Sequence, residues 1–299
     1  MRRLDALASV FAMLGLVALT GCENAPVKVT PFSIAGGIDP LSVNGREGAK
    51  PLTYEALMRI GAAAHAQGEL ATAVGIYRRA AQLDPHPAAP FVAAGNTLLE
   101  MGQVNEAIVA FNAALRRSEN DSEALRGLAR GYLATGKPQL AGQPLSVAYR
   151  ITPNDPKLLE LIGVADDFAG QHEEAQARYR RGLELLPHDP ALSLDLALSL
   201  ALTGSYSEAV AILRPLATAV TSSPRERQTL ALIYGLQGNR AAAEQMARLD
   251  LSTELVQRNL AYYDSLRRMS PEARRHAIQT LSTGIDRAAG AERIVPRGG

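Results

Sequence analysis

The chain has 299 residues, with 31 lysines and arginines against 30 aspartates and glutamates, and one cysteine. This balance of charge argues against nucleic acid binding as the main activity. A single cysteine excludes an intrachain disulfide and a zinc site built from several cysteines.

The first 21 residues have the pattern of a secretory signal peptide. Arg2 and Arg3 give a positive start, and residues 6–19 form an apolar run shorter than the roughly 20 residues that span a bilayer. The run leads into Leu19-Thr20-Gly21-Cys22, which resembles the bacterial lipobox. The resemblance implies that Cys22 is lipidated and becomes the first mature residue. A plain cleavable signal followed by a chance cysteine is the alternative.

A lipid on Cys22 would anchor the chain to a membrane, because two or three acyl chains hold firmly where one holds marginally. Residue 23 is glutamate rather than the aspartate that tends to retain lipoproteins at the inner membrane. The expected location is the periplasmic side of the outer membrane, and the inner membrane is the alternative location. Residues 22–53 lack a steady period and are predicted to be a flexible tether.

Six repeats of equal length follow without an insertion. A turn glycine, an alanine five positions after it, and a small residue seven positions before it recur in register. The evenly spaced glycines are Gly68, Gly102, Gly136, Gly170, Gly204 and Gly238. Each repeat is predicted to be a helix, a glycine turn and a second helix, with the small residues allowing close packing. Large apolar residues such as Tyr77, Phe111 and Tyr179 are expected to fill the gap to the next repeat.

The joints between repeats carry helix-start signals. Asp155, Asp189 and Ser223 each precede a proline, which fits a side-chain cap followed by proline at the first helical position. The segments GQHEEA at 170–175 and GSYSEA at 204–209 resemble tetratricopeptide repeats. The resemblance implies an all-α superhelical solenoid of about six helix-turn-helix units over 54–257.

The third, fifth and sixth repeats depart from this pattern. Pro144 and Pro215 fall inside predicted second helices, where proline removes a backbone hydrogen bond. Leu216 and Asp250 replace a small residue, so less regular packing is expected in the last two repeats. Residues 258–289 are predicted to form C-terminal capping helices, because a solenoid end exposes apolar surface. Residues 290–299 are predicted to be a loose tail.

No catalytic, cofactor-binding or metal-binding constellation is recognisable. The five histidines lack ligand spacing. Asp166 and Asp167 are neighbours that point about 100° apart on a helix, which favours a solvated helix face over a carboxylate pair. The expectation is a protein that is not an enzyme, with no cofactor and no small-molecule substrate. An enzyme with a cryptic site is the less favoured alternative.

A peptide-binding groove lined by first helices is the expected functional site. Candidate groove residues, taken from the repeat phase, are Arg59, Asn96, Glu100, Arg126, Arg130, Glu160, Asp167, Asp195 and Gln228. Arg126 and Arg130 are four positions apart and could hold a carboxylate, and exposed arginines with no set partner are the alternative. The carboxylate clamp of some tetratricopeptide proteins is not reproduced, because Met58 and Ala62 occupy its first-repeat positions.

The lipobox, the six repeats and the closing segment NLAYYDSLRRM at 259–269 together resemble the TadD-type lipoproteins of tight-adherence (Flp) pilus systems. The resemblance implies assistance in assembling a pilus secretion machine, with a secretin or pilus components as protein partners. A type IV pilotin, an outer-membrane β-barrel assembly lipoprotein and a cell-wall hydrolase adaptor are alternative roles for the same kind of scaffold.

Overall fold

A computed structural model describes residues 52–275 and 277–278, and this part of the chain is helical with no strand. The predicted signal peptide, Cys22, most of the tether and the tail at 290–299 lie outside the described residues. The helices are α1 (Tyr54–Ala66), α2 (Leu70–Leu83), α3 (Ala89–Glu100), α4 (Val104–Leu115), α5 (Ser122–Ala134), α6 (Pro138–Ile151), α7 (Pro156–Phe168), α8 (His172–Leu185), α9 (Pro190–Leu202), α10 (Tyr206–Ala217), α11 (Pro224–Gln237), α12 (Arg240–Ala247) and α13 (Thr253–Arg268).

The chain divides between Thr152 and Pro153 into two compact units. The N-terminal unit contains α1 to α6 and the C-terminal unit contains α7 to α13. Within the described residues, each unit holds three helical hairpins in which a first helix packs against the second helix that follows it. These hairpins, built from α1 to α12, confirm the predicted fold class.

The six turn glycines hold the register of the repeats. All six have positive φ, between 70° and 89°, so each ends a first helix in the left-handed conformation. Glycine adopts this conformation without the steric cost that other residues incur. The alanines five positions later, from Ala73 to Ala243, are all completely buried. Both rows were predicted, and the structure confirms them.

Three aromatic rings lie across glycines of their own repeats. A methyl group at Gly95 would lie 2.7 Å from Cε1 of Phe111, and Gly61 and Gly163 face Tyr77 and Tyr179 in the same way. Phe111 also faces Gly127 of the next repeat, so it fills that gap as expected, but all three rings in addition fill space inside their own hairpins. The reason is that a glycine on the first helix has no side chain, so the ring from the second helix takes that space.

Side-chain caps begin the three repeats of the C-terminal unit. The carboxylates of Asp155 and Asp189 accept backbone hydrogen bonds from the first turns of α7 and α9. Ser223 and Glu226 form a reciprocal capping box at the start of α11. The predicted caps are confirmed.

The last repeat is irregular, as expected. Helix α12 has only eight residues, so Asp250 lies beyond its end rather than in a packed second helix. Helix α13 packs against both α11 and α12 and buries Leu260, Tyr263 and Leu266 among other residues. The predicted boundary between 257 and 258 falls inside α13. Pro144 and Pro215 lie within continuous helices.

Candidate protein-binding surface

First helices of successive repeats contact one another within each unit. Helix α3 contacts α5, and α9 contacts both α7 and α11. For each unit separately, we call the exposed face of its first helices, α1, α3 and α5 or α7, α9 and α11, the first-helix surface. Because its side chains project from packed helices, the surface offers fixed positions for polar contacts with an extended segment.

In the N-terminal unit, side-chain pairs join neighbouring first helices. His65 Nε2 of α1 lies 3.0 Å from Glu100 Oε2 of α3. The amide of Asn96 on α3 donates to Glu123 of α5 at 2.7 Å. Arg59 and Arg130 are exposed on the same helices as these pairs. The surface thus presents guanidinium groups, which suit planar recognition of carboxylates, together with carboxylates already held by partners.

Of the remaining predicted residues, Arg126, Glu160 and Asp195 are partly buried on α5, α7 and α9. Glu160 accepts a hydrogen bond from Lys157 at 3.1 Å, and the same ammonium group donates to Asp189 of the next repeat at 3.2 Å. Lys157 therefore ties α7 to the start of α9.

Asp167 has a different role from the one predicted. Its carboxylate accepts hydrogen bonds from Ser199 Oγ at 2.8 Å and Tyr179 Oη at 3.0 Å, and it lies 2.7 Å from His172 Nδ1. The side chain is only 13% exposed. These contacts join α7, α8 and α9, so we name Asp167, His172, Tyr179 and Ser199 the Asp167 cluster. Its carboxylate stabilises the packing of two repeats.

The Asp167 cluster contains serine, histidine and aspartate but lacks the order of a catalytic triad. In a triad the imidazole lies between the serine and the carboxylate. Here the hydroxyl of Ser199 donates directly to Asp167, and Nε2 of His172 is buried without a hydrogen-bond partner. The geometry therefore gives Ser199 no imidazole base.

Burial sets the protonation of two neighbouring groups. Burial, with Asp167 nearby, raises the pKa of the Tyr179 hydroxyl well above its usual value, so the hydroxyl remains a donor. Burial also raises the pKa of Asp166, against the opposing charge of Arg178. Asp166 and Asp167 are both partly buried, which corrects the interpretation of this pair as a solvated helix face.

Gln228, the last predicted groove residue, belongs to a polar cluster of the sixth repeat. Its amide donates to Asp250 at 2.9 Å, and Nε of Arg227 donates to the same carboxylate oxygen at 2.9 Å. Arg227 also donates to the carbonyl and hydroxyl oxygens of Ser222. The hydrogen bond from Arg227 holds the pKa of Asp250 below its usual value, with burial opposing it and Gln228 adding to it.

We expect Asp250→Asn to lower the free energy of unfolding by roughly 1.5 kcal/mol at neutral pH, because a charge-assisted hydrogen bond is removed. The pKa of Asp250 is lower in the folded chain than in the unfolded chain, so the pair stabilises the fold above about pH 4. This stabilisation disappears as the pH falls through the folded-state pKa. Urea denaturation from pH 3 to pH 7 measures the difference in the free energy of unfolding between the original protein and the Asp250→Asn variant. A difference that stays constant below pH 4 would contradict the assignment.

Sequence reasoning missed the partners of the predicted residues. His65, Glu123, His172 and Ser199 were not predicted, although each contacts a predicted groove residue. Tyr179 was predicted for its ring rather than its hydroxyl. The repeat offered no signal for these pairs, since they occur once rather than at every period.

Neither a metal cluster nor a membrane-spanning helix occurs within the described residues. No group of three or more histidine, cysteine, aspartate or glutamate side chains in this part of the chain could hold a metal ion. Among helices α1 to α13, none is both long and apolar enough to span a membrane.

Comparison with known sequences agrees with the repeat. Sequence models of the tetratricopeptide repeat match residues 44–89, 92–156 and 169–233. Anaphase-promoting complex subunit 7 of Arabidopsis thaliana is 29% identical over 143 residues, which are 48% of this chain and 25% of that protein. The uncharacterized protein y4yS of Sinorhizobium fredii is 32% identical over 94 residues, 31% of this chain and 52% of y4yS. The alignments thus span about a quarter and about half of these relatives.

Solved structures share the fold. A tetratricopeptide repeat protein from Parabacteroides merdae has a TM-score of 0.59 at 18% identity, covering 73% of this chain and 86% of that one. Pseudomonas aeruginosa pilF has a TM-score of 0.58 at 18% identity, covering 70% and 97%. The anaphase-promoting complex assembly Cut9-Hcn1 has a TM-score of 0.64 at 16% identity, covering 71% and 43%. At these identities the likeness concerns the fold alone.

Proposed function

Because the chain belongs to the tetratricopeptide repeat family, whose members are generally scaffolds for protein interactions, we propose that it binds protein partners through its first-helix surface. The observation that carries the proposal is the contact of successive first helices within each unit. This contact aligns polar side chains of several repeats on one face. An extended protein segment can contact such a face at many points, with charged groups fixing its orientation.

We further propose that the protein is lipid-anchored at Cys22 on the periplasmic side of the outer membrane and assists assembly of a tight-adherence (Flp) pilus secretion machine. The lipobox pattern supports the anchor, and the resemblance to TadD-type lipoproteins supports the role. The partner would be a secretin or a pilus component. A pilotin, a β-barrel assembly lipoprotein and a hydrolase adaptor use the same kind of surface and are distinguished by the partner.

Cys22→Ser is expected to release the protein from the membrane fraction, because the serine hydroxyl cannot receive the thioether lipid. The first repeat begins only at Tyr54, well beyond the substitution, so the variant should keep its helical circular dichroism spectrum. Fractionation of cells that produce either form measures the change. A variant that stays firmly in the membrane fraction would contradict the lipid anchor.

A photo-crosslinking experiment tests the partner. A photoreactive residue is placed at Arg130 on the first-helix surface or, as a matched control, at exposed Arg181 on the second helix α8. Capture of a secretin or pilin component at position 130 but not at 181 is expected. Capture of barrel-assembly or cell-wall proteins at 130 would overturn the pilus role. Equal capture at both positions would overturn the first-helix surface as the binding site.

A further inference from the structure

The first repeat leaves a helix face uncovered by any described residue. Ile60 on α1 is 39% exposed. In the repeats that follow another within the same unit, the residue at this position is at most 5% exposed. Those residues are Ala94, Leu128, Leu196 and Leu230. Ala63, one turn later, is exposed too, while its equivalents Thr97, Gly131, Ser199 and Ile233 are buried.

In the later repeats, the second helix of the preceding repeat covers this face. A methyl group at Gly131 of α5 would lie 2.6 Å from Cγ1 of Ile108 on α4. Leu128, the equivalent of Ile60, belongs to the same buried cluster as Phe111, also on α4. Helix α1 therefore has a face shaped to receive a preceding segment. We call Leu52, Ala56, Ile60 and Ala63 the α1 face.

We propose that residues 32–41 of the same chain bind the α1 face and close the N-terminal end of the repeats. These residues lie shortly before α1 and include four large apolar side chains, Phe32, Ile34, Ile38 and Leu41. Ile60 lies six residues into α1, or about 9 Å along the helix axis. Ten residues of extended chain reach about 33 Å, so the segment can return along α1.

The size of the α1 face favours this segment over a second copy of the protein. One leucine, one isoleucine and two alanines present far less surface than the ~800 Å² per partner of a stable protein interface. A segment joined to this face by residues 42–51 needs less contact, because its effective concentration reaches the millimolar range. Terminal repeats of a solenoid need such a cover.

Disulfide crosslinking tests the proposal in the full chain carrying Cys22→Ser, which has no other thiol. A cysteine at Ser33, Gly37 or Asp39 is paired with Ala63→Cys on the α1 face. The matched control pairs it with Thr72→Cys, which is exposed on the second helix α2 of the same repeat. We expect at least one pair with Ala63→Cys to form the intramolecular disulfide at least tenfold faster than its control.

Ile60→Asp should slow this disulfide to the control rate. Since Ile60 is partly exposed, the variant should remain folded, as circular dichroism checks. Equal rates for the α1-face and control pairs would overturn the proposal. Covalent dimers in place of crosslinked monomers would also overturn it and would assign the face to a second copy.

Discussion

Replacing Asp167 with alanine is expected to lower the free energy of unfolding of the C-terminal unit by roughly 2–6 kcal/mol, because two buried hydroxyls lose their acceptor. The hydroxyls of Tyr179 and Ser199 would both lose their acceptor at this carboxylate. Each buried polar group without a partner costs about 1–3 kcal/mol. Urea denaturation, with hydrogen exchange followed in α7, α8 and α9, measures the loss and locates it.

Asp166→Ala is the matched control, since it removes the neighbouring carboxylate from the same helix turn. Arg178 faces Asp166 at 3.9 Å, which is a long ion pair. Burial raises the pKa of Asp166, so its charged form is disfavoured in the folded chain. We expect little loss of stability at neutral pH. If both variants lost the same free energy, the Asp167 cluster would not be the feature that joins these repeats.

The Asp167 cluster shows which kind of feature a repeat pattern predicts. The glycine turns, the buried alanines and the caps follow from constraints that recur from one repeat to the next, so the sequence alone predicts them. Asp167, His172 and Ser199 meet only once, through side-chain directions and helix packing that periodicity does not contain. Position 167 corresponds to Leu133 in the preceding repeat and Ala201 in the next, so its polarity carried no repeating signal.

For the candidate surface, the repeat pattern predicted which helices carry the residues but not how their side chains pair. Repeat phase placed Arg59, Asn96 and Glu100 on first helices, as the structure has them. It could not indicate that Asn96 would bond to Glu123 or that Glu100 would lie beside His65. Such pairs depend on the spacing between neighbouring helices, which the small residues and rings set. Which residues contact a partner stays a prediction.

Gly95→Ala is expected to lower the free energy of unfolding of the N-terminal unit by about 2 kcal/mol, because overpacking a core costs about 1–3 kcal/mol. The higher helix propensity of alanine than of glycine offsets up to about 1 kcal/mol of the overpacking cost. The ring of Phe111 cannot move away easily, because Gly127 of α5 faces the same ring. Gly142→Ala is the matched control. It lies inside α6 with nothing within 4 Å of the added methyl group. Alanine there should stabilise the chain by about 0.5–1 kcal/mol.

Phe111→Leu should reduce the cost of Gly95→Ala when the two are combined. The sequence contains this exchange already, since the repeats with Ala129 and Ala197 carry Leu145 and Leu213 at the ring position. A double-mutant cycle measured by denaturation should therefore give a coupling of about 0.5 kcal/mol or more in the compensating direction. Additive losses would mean that the ring at position 111 and the residue at position 95 do not interact. The small residue would then only allow the two helices to pack closely.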